Sequence, residues 1–487
     1  MNERLTFNAG VRECRISSRS ISRSALVPPD GRTLQPREEA GRGAPVRPAA
    51  RRRQPQSTDW AWYGLVAFTA VLFLRPQDQL PALAMLHLAE VFAIVGLVGM
   101  IVARTRRGLP PMPYTPEIGG LLAFGGAMLV GIPFSFWPGG SVRDFVDIYL
   151  KVIVIVMLMI HALDRADRID RFAAMIVVCS GVVAVGSLFD YMRGVRLVEG
   201  GRLGGAVGGI MGNPNDLALN MVVFLPFALA AAFKPGPAPR RVAAALCTGL
   251  MMTTIVLTKS RGGFVGLAAM LVMLVAGSIR VRPAVGVAAL VAVLAAVPLA
   301  PASFWARMVS IFDEERDTTG SRQARLDLMK EGVRVFAANP VFGIGLGQFV
   351  NYDPTGRKQA WNVTHNATLQ VAAELGVVGL VPFVYLIVRA AGAARAARKA
   401  IILPLRPGRR RGTMPQRRQL PPDPERETLL TLVTALGPAL LGWIVCAQFA
   451  SVALNWTFYL VLGILVATRA VAVRFSSERA PSLVRAS

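Results

Sequence analysis

Residues 85–103 read MLHLAEVFAIVGLVGMIVA, and Arg104-Thr105-Arg106-Arg107 follows at once. A run of this kind has the length that a helix needs to cross the hydrocarbon core, about 17–25 residues. In lipid every backbone N–H and C=O must be paired within its own segment, so a long apolar block implies a helix. A barrel strand would alternate apolar and polar residues, and this run does not. The arginines behind it mark a return to the cytoplasmic side, where Lys and Arg accumulate.

The same unit recurs along the chain. Apolar spans are predicted at 60–75, 85–103, 117–134, 145–163, 171–190, 211–233, 242–258, 263–279, 284–302, 366–388, 429–449 and 455–471. With the Arg-rich N-terminus inside, every even-numbered span should end in a basic loop, and each does. Arg104, Arg106 and Arg107 follow the second, and Arg165, Arg168 and Arg171 surround the end of the fourth. Lys234, Arg240 and Arg241 follow the sixth, Arg280 and Arg282 the eighth, and Arg474 with Arg479 the twelfth. The expected fold is an all-α integral membrane protein of about 12 transmembrane helices, with both termini cytoplasmic. Its parts are a disordered basic extension over 1–59, nine spans over 60–302 and a large extracytoplasmic loop over 303–365. A tenth span over 366–388, a basic cytoplasmic loop over 389–428, two spans over 429–471 and a tail over 472–487 complete it.

Composition agrees. The 487 residues are 53% hydrophobic and 17% charged, with a mean hydropathy of +0.47, where soluble chains carry about 25% charged residues. The net charge of +25 invites a nucleic-acid reading, but its distribution argues against one. Twelve Arg and no Lys lie in 1–59, and eleven basic against three acidic residues lie in 389–427. Both stretches flank spans, where they fit membrane topology and anionic lipid. Cys14, Cys179, Cys247 and Cys446 show neither disulfide nor metal-ligand spacing.

The 303–365 loop contains a predicted amphipathic helix from Ser321 to about Phe336, ended by Asn339-Pro340. Leu326, Met329, Val333 and Phe336 recur at helical spacing and form its expected apolar face. Such a helix is either a cavity wall or a connector lying on the membrane surface.

Three extracytoplasmic positions could carry chemistry. Arg202 stands in Gly200-Gly201-Arg202-Leu203-Gly204-Gly205, ahead of Gly212-Asn213-Pro214-Asn215-Asp216 at a span mouth. Glycines allow backbone N–H groups to approach an anion at a helix N-terminus, although they are also ordinary turn residues. Lys259-Ser260-Arg261-Gly262-Gly263 makes a tight outer turn, where the planar Arg fork suits a phosphate or simply snorkels to headgroups. Thr364-His365-Asn366 opens the tenth span, and an imidazole there can act as a base near neutral pH or be purely structural. Gln370 and Glu374 would line or close the same cavity.

In order, Arg202 with Asn213-Pro214-Asn215, Ser260-Arg261-Gly262, Pro340 through Gly343-Ile344-Gly345-Leu346-Gly347, and His365-Asn366 with Glu374-Leu375-Gly376 resemble the bacterial O-antigen ligase and polymerase family. The resemblance covers roughly residues 200–390. It implies a GT-C-like, metal-independent membrane glycosyltransferase that uses an undecaprenyl-diphosphate-linked glycan at the periplasmic face of the inner membrane, without a cofactor. Arg202 and Arg261 would engage the diphosphate, and His365 would activate the acceptor hydroxyl. Arg322, Asn213 and Asn215 would complete the binding set. The acceptor would be lipid A core, a protein or a second lipid-linked glycan, with no nucleic acid involved. The 1–59 and 389–428 segments depart from the family pattern. A twelve-span flippase of lipid-linked glycans is the rival, and it would place ionisable residues near mid-membrane. A scaffold anchored by its basic segments would leave the Arg and His residues without a task.

Overall fold

The computed structural model describes residues 59–198, 201–278, 281–299, 302, 304–305, 321–352, 362–402 and 423–484. Apart from Asp59, the expected N-terminal extension lies outside them, as do 306–320 of the large loop and 403–422 of the basic loop. The helices are α1 (Trp60–Leu74), α2 (Pro76–Gln79), α3 (Leu88–Thr105), α4 (Pro116–Gly131), α5 (Pro138–Asp144), α6 (Leu150–Ala162), α7 (Ala166–Met192) and α8 (Pro214–Ala232). They continue with α9 (Ala238–Leu257), α10 (Arg261–Ser278), α11 (Pro283–Leu299), α12 (Ser321–Ala338), α13 (Ala367–Ile402), α14 (Pro424–Cys446) and α15 (Trp456–Val484). Among the described residues, ten helices are long and apolar enough to cross a membrane. Two more apolar helices, α1 and α11, are shorter, at 15 and 17 residues. This is an all-α integral membrane protein.

Several starts share one local chemistry. Thr115, Asn213 and Asp423 each precede a proline, and their side chains accept first-turn N–H groups of α4, α8 and α14. A side-chain acceptor satisfies orphan donors, and proline at the first helical position gives up an N–H that has no partner there. The spans α8, α14 and α15 are 78% buried against 17% for α3, so the first three form the centre and α3 the rim. Trp443 stacks on Phe458 at 4.4 Å in that centre.

Contacts sort the loops to two ends. At the basic end, Arg168 reaches Asp59 at 2.6 Å, Arg474 donates to the Asp164 carbonyl at 2.7 Å, and Asp170 pairs with Lys234 at 2.8 Å. Buried Glu117 binds Arg389 and Arg469 there, at 2.8 and 2.7 Å. At the other end, the Gly208 N–H meets Asp78, the Phe136 N–H meets the Ile344 carbonyl, and Thr364 meets Ser451. Alternate loops therefore gather together, the pattern that alternating spans require.

Two expectations are corrected. The helix of the large loop runs Ser321–Ala338, but its buried face is Leu328, Gly332 and Val335, while Leu326 and Val333 are exposed. Gly332 lies against Leu369 of α13, and a larger residue would not fit that approach. The chain stays helical past 388, where a basic loop was expected. Helix α13 continues to Ile402 because Arg389 finds Glu117 and Arg398 donates to the Gly277 carbonyl at 2.8 Å.

Candidate active site

A two-residue hairpin, Leu197–Val198 against Arg202–Leu203, presents Arg202, which is buried. Its Nε donates to the Thr258 carbonyl at 3.1 Å, and its Nη2 donates to Asn215 Oδ1 at 2.9 Å. The same Asn215 oxygen accepts from Ser260 Oγ at 2.9 Å. Ser260 Oγ in turn accepts the Gly263 N–H at 3.2 Å, which caps the first turn of α10. Arg261 is the first residue of that helix. Lys259, buried and at φ 47°, makes the turn, and its ammonium lies over Gly201. Asn215 thus couples the Arg202 hairpin to the Arg261 turn. Asn213 serves the helix itself: its Oδ1 accepts the N–H groups of Asn215 and Asp216 at 2.9 Å each.

His365 is half-buried and held at φ 51° between two anchored neighbours. Thr364 Oγ1 contacts Ser451 Oγ at 2.9 Å, and Asn366 Nδ2 donates to Gln448 Oε1 at 3.2 Å. Asn366 Oδ1 also accepts the Leu369 N–H at 2.9 Å, starting α13. A non-glycine residue in this region persists only where its surroundings fix it, a feature common at functional sites. Burial, reinforced by the Arg325 guanidinium of α12, pushes the His365 imidazole from 6.5 down to about 4. That shift favours the neutral ring, whose lone pair is the site for a proton, over the imidazolium.

The segment from Cys446 to Ser451 joins the two arms. Gly262, next to Arg261, packs on Phe449, and Cys446 Sγ lies 3.6 Å from the Gly262 carbonyl. Gln448 and Ser451 hold the residues on either side of His365. Arg202, Arg261 and His365 therefore belong to one connected framework at the end opposite the basic loops.

Beneath this framework α13 is broken. Gly376 sits at φ 61°, ψ −161°, a conformation open only to glycine, and this interrupts the helical hydrogen bonds around it. The glycine-rich loop supplies the missing partners. The N–H groups of Ile344 and Gly345 bond the Ala373 and Glu374 carbonyls at 3.1 and 2.8 Å. Those of Val377 and Val378 bond the Pro340 and Val341 carbonyls at 2.8 and 3.2 Å. Glu374 adds its carboxylate, which accepts the Gly347 N–H at 3.0 Å and also the Phe349 N–H. Irregular backbone at membrane depth is stable where protein re-satisfies it in this way. Gly343 permits the approach, since a Cβ there would come within 2.3 Å of the Glu374 backbone.

Arg322 lies in the first turn of α12, and its side chain is outside the described residues. Arg325, one turn on, is the described α12 arginine whose charge acts on His365. The sequence offered no reason to prefer it, because the buried face of α12 is not the face that periodicity marked.

Residues 246–384 match the family model described as O-antigen ligase. No curated protein matches the chain. The matched segment contains the Arg261 turn, α12, the glycine-rich loop, His365 and the break in α13, whereas Arg202, Asn215 and the Cys446–Ser451 segment lie outside it. Within an all-α membrane fold, the 246–384 segment of this chain is therefore similar to the O-antigen ligase family.

Proposed function

We propose that this chain moves a glycan from an undecaprenyl-diphosphate carrier to an acceptor hydroxyl at the periplasmic face of the inner membrane. The observation that carries the reading is the coupling of the Arg202 hairpin, the Arg261 turn and His365 at the end away from the basic loops. Basic loops favour the cytoplasm, so the framework faces the periplasm.

In this reading the His365 imidazole takes the proton of the acceptor hydroxyl as its oxygen attacks the anomeric carbon. The bond from that carbon to the diphosphate oxygen breaks, and the electron pair leaves with the diphosphate. Arg202 and Arg261 stabilise the charge that develops there, a contribution larger in a water-poor site than in solution. Asn215 orients Arg202 through its carboxamide oxygen, and Asn213 keeps the mouth of α8 in shape. Arg322 belongs to the same substrate-binding set. The polyprenyl tail enters laterally between spans, and the reaction calls for no metal or cofactor. Ligase and polymerase share this donor chemistry and differ in the acceptor: lipid A core or protein for one, a second lipid-linked glycan for the other.

The test is glycan transfer in reconstituted membranes from an undecaprenyl-diphosphate-linked donor. His365→Ala should lose about 10²–10⁴-fold in rate, the usual worth of a positioned base. Arg261→Ala should lose about 10²–10³-fold, with normal insertion of both variants. Variants that transfer as well as wild type would remove this site from the reaction. Donor crossing the bilayer without transfer would favour a transporter. The molecule that receives the glycan separates ligase from polymerase.

A further inference from the structure

Helix α9 is only 33% buried, and it and α11 both pack against α8 with a crevice between them at the basic end. The crevice has a volume of about 560 Å³ and an apolar wall of Leu229, Phe233, Val242, Ala245 and Ala288. Its one charged lining residue is Arg241, in the first turn of α9. Beside it stands Arg282, which donates to the carbonyl of Phe233, a lining residue, at 3.4 Å and pairs with Glu427. The Arg282 Nε is buried and has no hydrogen-bond partner among the described residues. Arg240 and Lys234 are adjacent and share the single carboxylate of Asp170, at 2.5 and 2.8 Å. Among the described residues, Lys234, Arg240 and Arg282 share two carboxylates, and Arg241 donates only to the Ala232 carbonyl at 3.2 Å, which leaves positive charge at the mouth of an apolar groove.

An apolar groove with excess positive charge at its headgroup end has the chemistry of an acyl chain below a phosphate. A zwitterionic headgroup brings no net charge to balance the cations, whereas an anionic one does. A guanidinium makes shorter and stronger hydrogen bonds to a phosphate than to the neutral carbonyls that Arg241 and Arg282 now reach, those of Ala232 and Phe233. The volume falls within the range of ligand pockets, about 300–1,000 Å³. We propose that the α8–α9–α11 crevice holds one anionic phospholipid, its acyl chain along Leu229 and Ala245 and its phosphate between Arg241 and Arg282. This site lies at the opposite end from Arg202 and His365, so it stands or falls independently of the catalytic reading.

The experiment is native mass spectrometry of the full chain in detergent, titrated with phosphatidylglycerol or phosphatidylcholine of identical chains. Wild type should retain one phosphatidylglycerol in preference to phosphatidylcholine. Arg241→Gln should weaken that binding about fivefold, the factor that ~1 kcal/mol per cation represents. Ala245→Trp, which fills the groove and leaves the charges in place, should lower occupancy by both lipids. Inorganic phosphate should not compete. Equal retention of the two lipids, a preference unchanged in Arg241→Gln, or stronger retention of undecaprenyl phosphate than of phosphatidylglycerol would each overturn the proposal.

Discussion

Glu117 and Glu374 are both buried in apolar helices, and their surroundings differ in kind. Glu117 meets the guanidinium groups of Arg389 and Arg469, with contacts of 2.7–2.9 Å. Glu374 meets backbone N–H groups of the 340–349 loop. Arg389 and Glu374 lie on the same helix, about 22 Å apart at a rise of 1.5 Å per residue, so the two glutamates mark opposite ends of the bundle. At the basic end, charge opposes charge and ties α4, α13 and α15 together. At the other end, a carboxylate and four main-chain hydrogen bonds hold a loop to a broken helix. The first arrangement depends on ionic partners, the second on backbone shapes that few residues can adopt. That difference is useful to the site, because a framework set by main chain keeps its arginines and histidine in fixed places.

The sharpest way to break this comparison is to make one change at both glutamates. Glu117→Gln leaves two half-buried guanidinium groups without their carboxylate, and it should cost about 3 kcal/mol, the lower end for breaking a buried pair. Thermal unfolding of the purified protein in detergent measures this, and a wild-type midpoint would contradict the ionic account. Gly376→Ala should follow. Its Cβ would come within 2.2 Å of the Val341 carbonyl at a φ of 61°. Strain of order 1–3 kcal/mol is expected there, with glycan transfer lost while helical content by circular dichroism stays unchanged. Retained transfer would show that the seam does not shape the site. Glu374→Gln keeps an acceptor oxygen for the Gly347 N–H, so its cost should be only about 1 kcal/mol. Equal losses for the two Glu→Gln changes would erase the distinction between the ends.

The smallest effect is the pH response of His365. Its folded value of about 4 lies below the ordinary 6.5, so between these values the unfolded chain binds more protons. Stability should therefore decline as pH falls from about 6.5 toward 4, and His365→Asn should remove that part of the slope. Transfer limited by the neutral ring should hold down to about pH 5 and fall through about pH 4. A profile falling near 6.5 would mean an imidazole that is not desolvated.

The sequence made the spans legible because lipid demands long apolar runs, and Asn213-Pro214 announces its helix start by side-chain chemistry alone. Arg202, Arg261 and His365 could be picked out as polar groups at span mouths. The link between them could not, since it runs through Asn215 and the turn from Cys446 to Ser451, far apart in the chain. The break at Gly376 was hidden as well, because it depends on a loop some thirty residues earlier that supplies its hydrogen bonds. Helix α12 misled for a different reason. It is apolar on two faces, one of Leu328 and Val335 and one of Leu326 and Val333, and periodicity alone does not say which meets protein. Arg389 read as the start of a loop, although a buried partner keeps it in the helix.

The most direct test of the central claim, catalysis at the end away from the basic loops, is transfer in proteoliposomes of a single orientation. Lipid-linked donor and acceptor are supplied to one face at a time. The account predicts product when they are on the face opposite Arg240, Arg241 and Arg282, and none from His365→Ala in the same membranes. Product formed only when they share the face of those basic residues would contradict it.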